Sequence, residues 1–394
     1  MSRTGLSAPI RFGVIGTGGM GSAHCRSLPT IAEAKLTAVC DIDPTVAEAI
    51  GNEYGVPYFL SYADLITSGL CDAVIVATPH PFHQEISIAA MRAGLHVLSE
   101  KPLSERVSTA EAMIATAKET GMTLAVMFQR RLEPTLAKAI EIARSGVLGK
   151  VYRTTMISPE YRSQAYYDSG GWRATWSGEG GGVMTNQSPH ILDLFILLGG
   201  KPSSVYGRTE TRLHHIEVED IAEAMLTYPD GGSGYLYCST NEAGPGQMIE
   251  VFGDKGKLCY RNGDLTLYRF EPSVSEHAHT AVGMWGGPET SEVPITIEET
   301  EVGHNIVIRN LARHLLFDEP LIARGEEGLA SVELANAVWL SAHLQAPVTL
   351  PLDRAAYDAF LAEKRATSTF VKQVAAVERE TDPRLEKGGT LEAF

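Results

Sequence analysis

A chain of 394 residues is too long for one ordinary hydrophobic core, so two domains of unequal size are expected. Its 44% hydrophobic content excludes a disordered or fibrous protein. A formal net charge of −15, with Lys and Arg spread along the chain, argues against a nucleic-acid partner.

The first 128 residues alternate strand and helix. "RFGVIG" is an apolar strand that runs into the turn "GTGGMG". "KLTAVCD" is the second strand, after which Asp43 and Pro44 supply an N-cap and a first-turn proline for a helix stopped by Gly55. A minimal strand "PYF" follows, and Ser61 is expected to cap the helix "YADLITS". "DAVIVAT" reads as a strand buried on both faces, and "QEISIAAMRAG" as a helix ending at Gly94. "LHVLSE" is the next strand, then Ser108 and Glu111 form a capping box for a helix closed by Gly121, and "TLAVMF" completes the series. Such alternation predicts an α/β, doubly wound parallel sheet with right-handed crossovers.

Gly16, Gly18 and Gly21 form G-x-G-x-x-G at the first strand-to-helix turn, and Asp41 ends the second strand about 20 residues further on. Gly16 permits the tight turn, while backbone N–H groups of Gly18, Gly19 and Met20 face a pyrophosphate at the helix N-terminus. Asp41 suits the adenosine ribose and repels a 2′-phosphate, so the expected cofactor is NAD rather than NADP. The carboxyl ends of the later strands bring Thr78, Pro79, His83, Glu100 and Lys101 to the same cleft as cofactor contacts. Burial beside another cation would lower the pKa of Lys101 and let it take part in proton transfer, although Glu100–Lys101 also reads as a solvated turn pair.

Further along, "PEYRSQAYYDSGGWRATWSGEG" concentrates aromatic and Arg residues in a glycine-rich, loop-like stretch. Such groups suit the apolar faces and polar edges of a sugar or cyclitol, and equally a subunit-interface arm. The expected substrate contacts are Arg131, Tyr161, Tyr167, Trp172 and Arg173. In "GGGVMTNQSPHILDLF", Ser188 is the expected N-cap and Pro189 the first helical residue, with Gly199 and Gly200 ending the helix. His190 therefore sits in the first turn, where the helix dipole disfavours imidazolium and leaves a neutral base. Asp193, one turn on, is expected to orient that ring or bind a substrate hydroxyl. "RLHHIEVEDIAEAMLTYPDG" alternates like a strand, so His214, His215, Glu217, Glu219 and Asp220 are not expected to hold a metal. "SEHAHTAVGMWGGPETSE" reads as a loop, and the polar tail as a mobile end or an arm around a neighbour.

Taken in order, "VIGTGGMGSAH", "CDIDP", "VATPHPFHQEISIAAMRAGLHVLSEKPLS", "FQRRLEPTLAKAIEIARSGVLGKV", "GGGVMTNQSPHILDLF" and "EEGLASVELANAVWLSA" resemble the Gfo/Idh/MocA oxidoreductases over residues 10–352. The resemblance implies an NAD-binding Rossmann domain (1–128), then an α+β domain with a large, mostly antiparallel sheet (129–352) that often forms the interface of a homo-oligomer, dimer or tetramer. A helical or extended tail, 353–394, remains. The family's E-K-P lysine matches Lys101, and its D-x-x-x-H pair falls on Asn186 and His190, so the first member departs from the pattern and Asn186 joins the substrate contacts. The expected activity is NAD-dependent oxidation of a secondary hydroxyl of a sugar, sugar derivative or cyclitol, or the reverse reduction, with Lys101 and His190 catalytic. Two alternatives stay open: an NAD-dependent glycosidase working by transient oxidation, elimination, hydration and re-reduction, and a non-catalytic dinucleotide sensor. The opening MSRTGLSAPI lacks a secretory apolar core, no segment is long enough to span a bilayer, and five scattered cysteines form no C-x-x-C pair, so a cytoplasmic location is expected.

Overall fold

A computed structural model describes residues 5–375. The first unit runs β1 (Ile10–Ile15), α1 (Gly19–Ser27), β2 (Ala34–Cys40), α2 (Pro44–Tyr54), β3 (Tyr58–Phe59), α3 (Tyr62–Thr67), β4 (Ala73–Val76), α4 (His83–Arg92), β5 (His96–Ser99), α5 (Val107–Thr120) and β6 (Leu124–Val126). Its six strands lie in the order β3-β2-β1-β4-β5-β6 and pair in parallel throughout, the doubly wound sheet predicted from the alternation. Strand order reverses between β1 and β4, which opens a crevice beyond their carboxyl ends. Asp43 caps α2 as expected, accepting from the N–H groups of Thr45 and Val46, with Gly55 left-handed at the far end. The capping box at α5 does not form: the helix starts at Val107, the Ser108 hydroxyl donates to Asp358, and Glu111 pairs with Arg354. A distant hydrogen bond and a distant ion pair have taken both side chains from the local cap.

The second unit continues with α6 (Pro134–Arg144), β7 (Val151–Pro159), α7 (Gln164–Asp168), α8 (Val183–Asn186) and α9 (Pro189–Gly199). Strands β8 (Ser204–Glu210), β9 (Ile221–Thr227), β10 (Ser233–Ser239), β11 (Met248–Gly253), β12 (Gly256–Arg261) and β13 (Asp264–Glu271) follow, then α10 (Val274–Thr280) and β14 (Glu289–Val293). The chain ends through α11 (His304–Phe317), α12 (Gly325–Leu344), β15 (Val348–Thr349) and α13 (Arg354–Thr367). Nine strands form one sheet, β14-β13-β12-β11-β7-β10-β9-β8-β15, antiparallel except for the central β7–β10 pair. One face packs on α6, α9 and α12; alternation along β7 to β12 leaves the other face partly exposed.

Packing ties the two units together across residue 128. Helix α11 buries Val307, Ile308, Leu311 and Leu315 in the core beneath β1 and β2, so it belongs with the first sheet. Arg324 extends the edge of β6 through a bridge to Ala125. Helix α12 then runs between α5 and β8, and a single apolar core joins Val76 and Val126 to Val338 and Leu236. The alternating "RLHHIEVED" is not strand: Asp220 turns inward and accepts from the N–H groups of Arg212, Leu213 and His214, so β9 begins only at Ile221. The expected loop around His277 and His279 contains α10, capped by Ser273. The tail lies on its own chain as far as residue 375, with Lys372 Nζ donating to the Tyr167 carbonyl and Ala375 N–H to that of Asp168; residues 376–394 lie outside the described residues.

Candidate active site

The glycine turn has the geometry a dinucleotide requires. Gly16 has φ of +86°, and a Cβ there would meet the Ala77 carbonyl oxygen at 2.8 Å. A Cβ on Gly21 would lie 1.8 Å from the Gly16 carbonyl oxygen, so α1 can approach β1 only through glycine. Above Gly18 and Gly19 there is open space, and α1 begins without a side-chain cap, leaving its first N–H groups directed at that space. Met20 lies in the first turn of α1. Asp41 Oδ2 accepts from the Thr17 N–H at 2.8 Å and Oδ1 from that of Asp43 at 3.0 Å, which fixes its carboxylate at the end of β2. The residues present therefore fit NAD.

The strand ends divide into two groups. Thr78 and Pro79 line the mouth of the crevice, partly exposed. His83 does not reach it: fully buried, its ring nitrogens lie 2.8 Å from the Thr78 carbonyl oxygen and 2.9 Å from that of Pro102, so it ties two loops together. Glu100 is likewise turned inward, 6% exposed, with Oε1 2.7 Å from His24 Nε2 on α1 and Oε2 accepting the Lys101 N–H. Burial pushes its carboxyl up, but the hydrogen bond from His24 together with the positive charges around it, Lys101 among them, outweighs this and takes it down to about 2. His83 and Glu100, expected as cofactor contacts, are supports beneath the site. His24, one turn into α1, carried no signal in the sequence because its partner lies 76 residues away.

Lys101 is not a solvated turn residue. Its Nζ donates to the Asn186 carbonyl at 2.9 Å, and burial lowers its pKa against the opposing charges of Glu100, Glu160 and Glu179. Four residues after Asn186, His190 enters the first turn of α9 as predicted, with Pro189 before it and Gly200 at the far end. Burial, then the charges of Lys101 and Arg130, push His190 well below the ordinary histidine range, so its imidazole is neutral. Its Nε2 lies 3.4 Å from the Gln129 amide nitrogen, its ring stands edge-on to Phe128, and its Nδ1 is buried without a partner among the described residues.

Asp193 does not orient that ring. It forms a two-pronged ion pair with Arg131, at 2.6 and 2.7 Å, both side chains buried, and Arg131 also donates to Ile322 and Glu327. Both were expected to meet substrate; each instead satisfies the other and locks α9 to α12. The preceding glycines are required by packing. A Cβ would meet Glu105 Oε2 at 2.8 Å from Gly180, Trp339 at 2.2 Å from Gly181, and the Glu219 carbonyl oxygen at 1.9 Å from Gly182. The run thereby presses α8, and Asn186 at its end, against the crevice.

The aromatic stretch separates in the same way. Arg173 is sandwiched between Tyr166 and Trp172, 4.5 Å from each ring centre, and donates to the Tyr166 hydroxyl at 2.9 Å. Gln187 donates to the same oxygen at 3.1 Å, which leaves the phenol's own proton to donate elsewhere. Trp172 packs edge-on to His80 behind the strand ends. Tyr167, expected at the substrate, is 2% exposed and bonds Thr240 in a small core with His214, so it is structural. Tyr161 is half-exposed at the rim. Gln187 and Glu179 join Tyr166 at the site without having been singled out from sequence; Glu179 receives the Asn186 amide.

Known proteins carry the same two-part organisation. Residues 10–128 match an oxidoreductase family with an NAD-binding Rossmann fold, and residues 136–259 match the GFO/IDH/MocA C-terminal domain. The scyllo-inositol 2-dehydrogenase (NAD(+)) of Bacillus subtilis (strain 168) is 30% identical over 258 residues, 63% of this chain and 73% of that protein. Inositol 2-dehydrogenase of Rhizobium meliloti (strain 1021) is 28% identical over 261 residues, 64% of this chain and 76% of that protein. The crystal structure of the WlbA dehydrogenase from Bordetella pertussis in complex with NADH and UDP-GlcNAcA is similar with a TM-score of 0.74 and 28% identity, over 87% of this chain and 99% of that one. With both parts matched in order and the glycine turn, Lys101 and His190 converging on one crevice, the chain belongs to the Gfo/Idh/MocA family of NAD-binding oxidoreductases.

Proposed function

We propose that this protein oxidises a secondary hydroxyl of a sugar, sugar derivative or cyclitol with NAD, or runs the reverse reduction. The observation that carries the reading is the Lys101 ammonium held on the Asn186 carbonyl, one turn before a neutral His190, at the mouth of the glycine-turn crevice. When bound, the nicotinamide supplies the two-electron acceptor. The chain's own groups manage the proton: the uncharged imidazole of His190 and the depressed Lys101 amine can each take it from the substrate oxygen, and Lys101 in its charged form steadies that oxygen as charge develops. Trp172 and Tyr166, with the Arg173 guanidinium held between their rings, offer aromatic edges and hydrogen-bond donors that suit a carbohydrate ring. Inositol and UDP-GlcNAcA, named with the similar proteins, are of that class. Asp41 favours NAD over NADP, because a 2′-phosphate would meet its carboxylate. The open face of the nine-stranded sheet is assigned to association between subunits.

A redox-cycling glycosidase needs a second base for a C–H proton. The tyrosines near the site do not supply one readily, since burial raises the pKa of both Tyr166 and Tyr167. The test is incubation with excess NAD or NADP and a panel of cyclitols, neutral and acidic sugars and glycosides, following NADH and released aglycone together. NADH should accumulate in step with substrate consumed, and Lys101→Ala and His190→Ala should each cut turnover roughly 100-fold or more while still binding NAD. Aglycone release without NADH would establish the glycosidase, and wild-type turnover in both variants would overturn the assignment of the two residues.

A further inference from the structure

The D-x-x-x-H pattern has an amide at its first position here, yet a carboxylate still stands at the site. Glu179 is 2% exposed, in the turn just before the glycines. Its Oε2 accepts the Ala174 N–H at 2.5 Å, its Oε1 accepts the Asn186 side-chain amide, and its own carbonyl oxygen lies 3.4 Å from His80 Nδ1. Asn186 in turn gives its backbone carbonyl to Lys101. Among the described residues no Lys, Arg or His forms an ion pair with Glu179; Arg173 and Lys101 act on it only through charge at longer range, and burial raises its pKa.

A buried carboxylate without an ion pair is costly, and folding does not require one here. A Gln at 179 could accept from Ala174 and pair with an Asn186 amide turned over, at lower desolvation cost. An acid stands where an amide would pack. What the acid provides beyond hydrogen bonds is negative charge, and the group it faces through Asn186 is Lys101.

We propose that Glu179 supplies, one hydrogen bond removed, the negative charge that the D-x-x-x-H pattern places at position 186, so that Glu179 and Asn186 act as a split carboxylate that orients the amide and holds the Lys101 proton. Glu179 is thus a positioning residue. The inference rests on the oxidoreductase reading above, but its first readout is independent of substrate.

The experiment compares wild type, Glu179→Gln, Asn186→Asp and the double variant. The pH dependence of Lys101 labelling by acetic anhydride is followed by peptide mass spectrometry on the full chain. Glu100, Glu160, Arg162, His80, His83, His190 and His304, whose charges also act on or are acted on by Lys101, are unchanged in all four. Glu179→Gln should shift the Lys101 midpoint down by about one unit or more. The double variant, with the carboxylate moved to 186, should return it to near the wild-type value, and Asn186→Asp alone, whose two facing carboxylates share one proton, should also lie near wild type. Should Glu179→Gln not fold, Glu179→Ala takes its place, and a wild-type Lys101 midpoint there overturns the proposal. With a substrate that reduces NAD, Glu179→Gln should lower kcat about tenfold or more with little change in KM, shift its pH profile with the labelling midpoint, and be rescued by Asn186→Asp. A wild-type profile in Glu179→Gln also overturns it. If wild type oxidises no sugar or cyclitol, the oxidoreductase reading fails, and the labelling series still decides the split carboxylate.

Discussion

Deleting His24 should cost far more than one ordinary hydrogen bond. Its loss would leave Glu100 6% exposed and without the ring nitrogen it bonds, and removing the partner of a buried charged group costs about 3 kcal/mol or more. His24→Ala should therefore lower the urea midpoint at pH 7 by a corresponding amount. Glu100 has its pKa depressed from 4.5 to about 2, so its contribution is present above about 4.5 and is lost as pH falls through about 2. The gap between variant and wild type should narrow over that window, and a gap that stays constant into acid would show that Glu100 is not the reason. Legibility at this scale followed chain distance. Gly16, Asp41, Lys101 and His190 were readable because each sits at a fixed place in a local strand–turn–helix pattern. The partners that decide what a charge does were not: His24 reaches Glu100 across 76 residues, and Arg131 takes Asp193 across 62.

Helix α8 shows how a short element is made by residues outside it. Four residues long, it has no capping side chain at Gly182, and the cap comes from Glu219, whose carboxylate accepts from the N–H groups of Gly182 and Met184 at 3.0 and 3.1 Å. Period-two alternation placed Glu219 on the polar face of a strand, but a free carboxylate next to uncapped N–H groups is drawn inward instead. Burial pushes Glu219 up to about 7, against the opposing effect of these donors. With a folded-state pKa raised from 4.5 to about 7, its contribution is fully present below about 4.5 and lost as pH rises through about 7. The loss is on the order of 3 kcal/mol. Stability measured by denaturant titration should fall across that window in wild type, and Glu219→Gln, which stays neutral, should flatten the slope. An unchanged slope in the variant would mean that other groups set it.

At the scale of the whole molecule, alternation of strand and helix was enough to give the first sheet, whereas the return of α11 to that sheet was hidden. Its apolar stripe would suit either core, and only packing shows that Val307, Ile308 and Leu311 lie under β1. The second sheet leaves a different problem. Cross-strand pairing aligns Tyr206 with Met225, Met225 with Tyr235, and Tyr235 with Thr155 in one row across β8, β9, β10 and β7. On that face Met225 is 66% and Tyr206 49% exposed, while the opposite face is covered by helices. Arg208–Glu223 and Arg153–Glu250 flank the row, so apolar side chains at the centre are ringed by polar pairs that can exchange partners. Monomers rarely leave apolar patches beyond about 400 Å² uncovered, and a stable interface needs about 800 Å² from each partner, an area a sheet of this width can provide. The full chain should therefore run as a dimer or larger assembly in size-exclusion chromatography with light scattering. Met225→Glu combined with Tyr206→Glu should drive it to monomer without lowering the unfolding midpoint of the monomer, since neither side chain belongs to the core. A wild-type chain that is monomeric at tens of micromolar would remove the sheet face as an interface. An oligomer unaffected by the double substitution would move the contact to another surface.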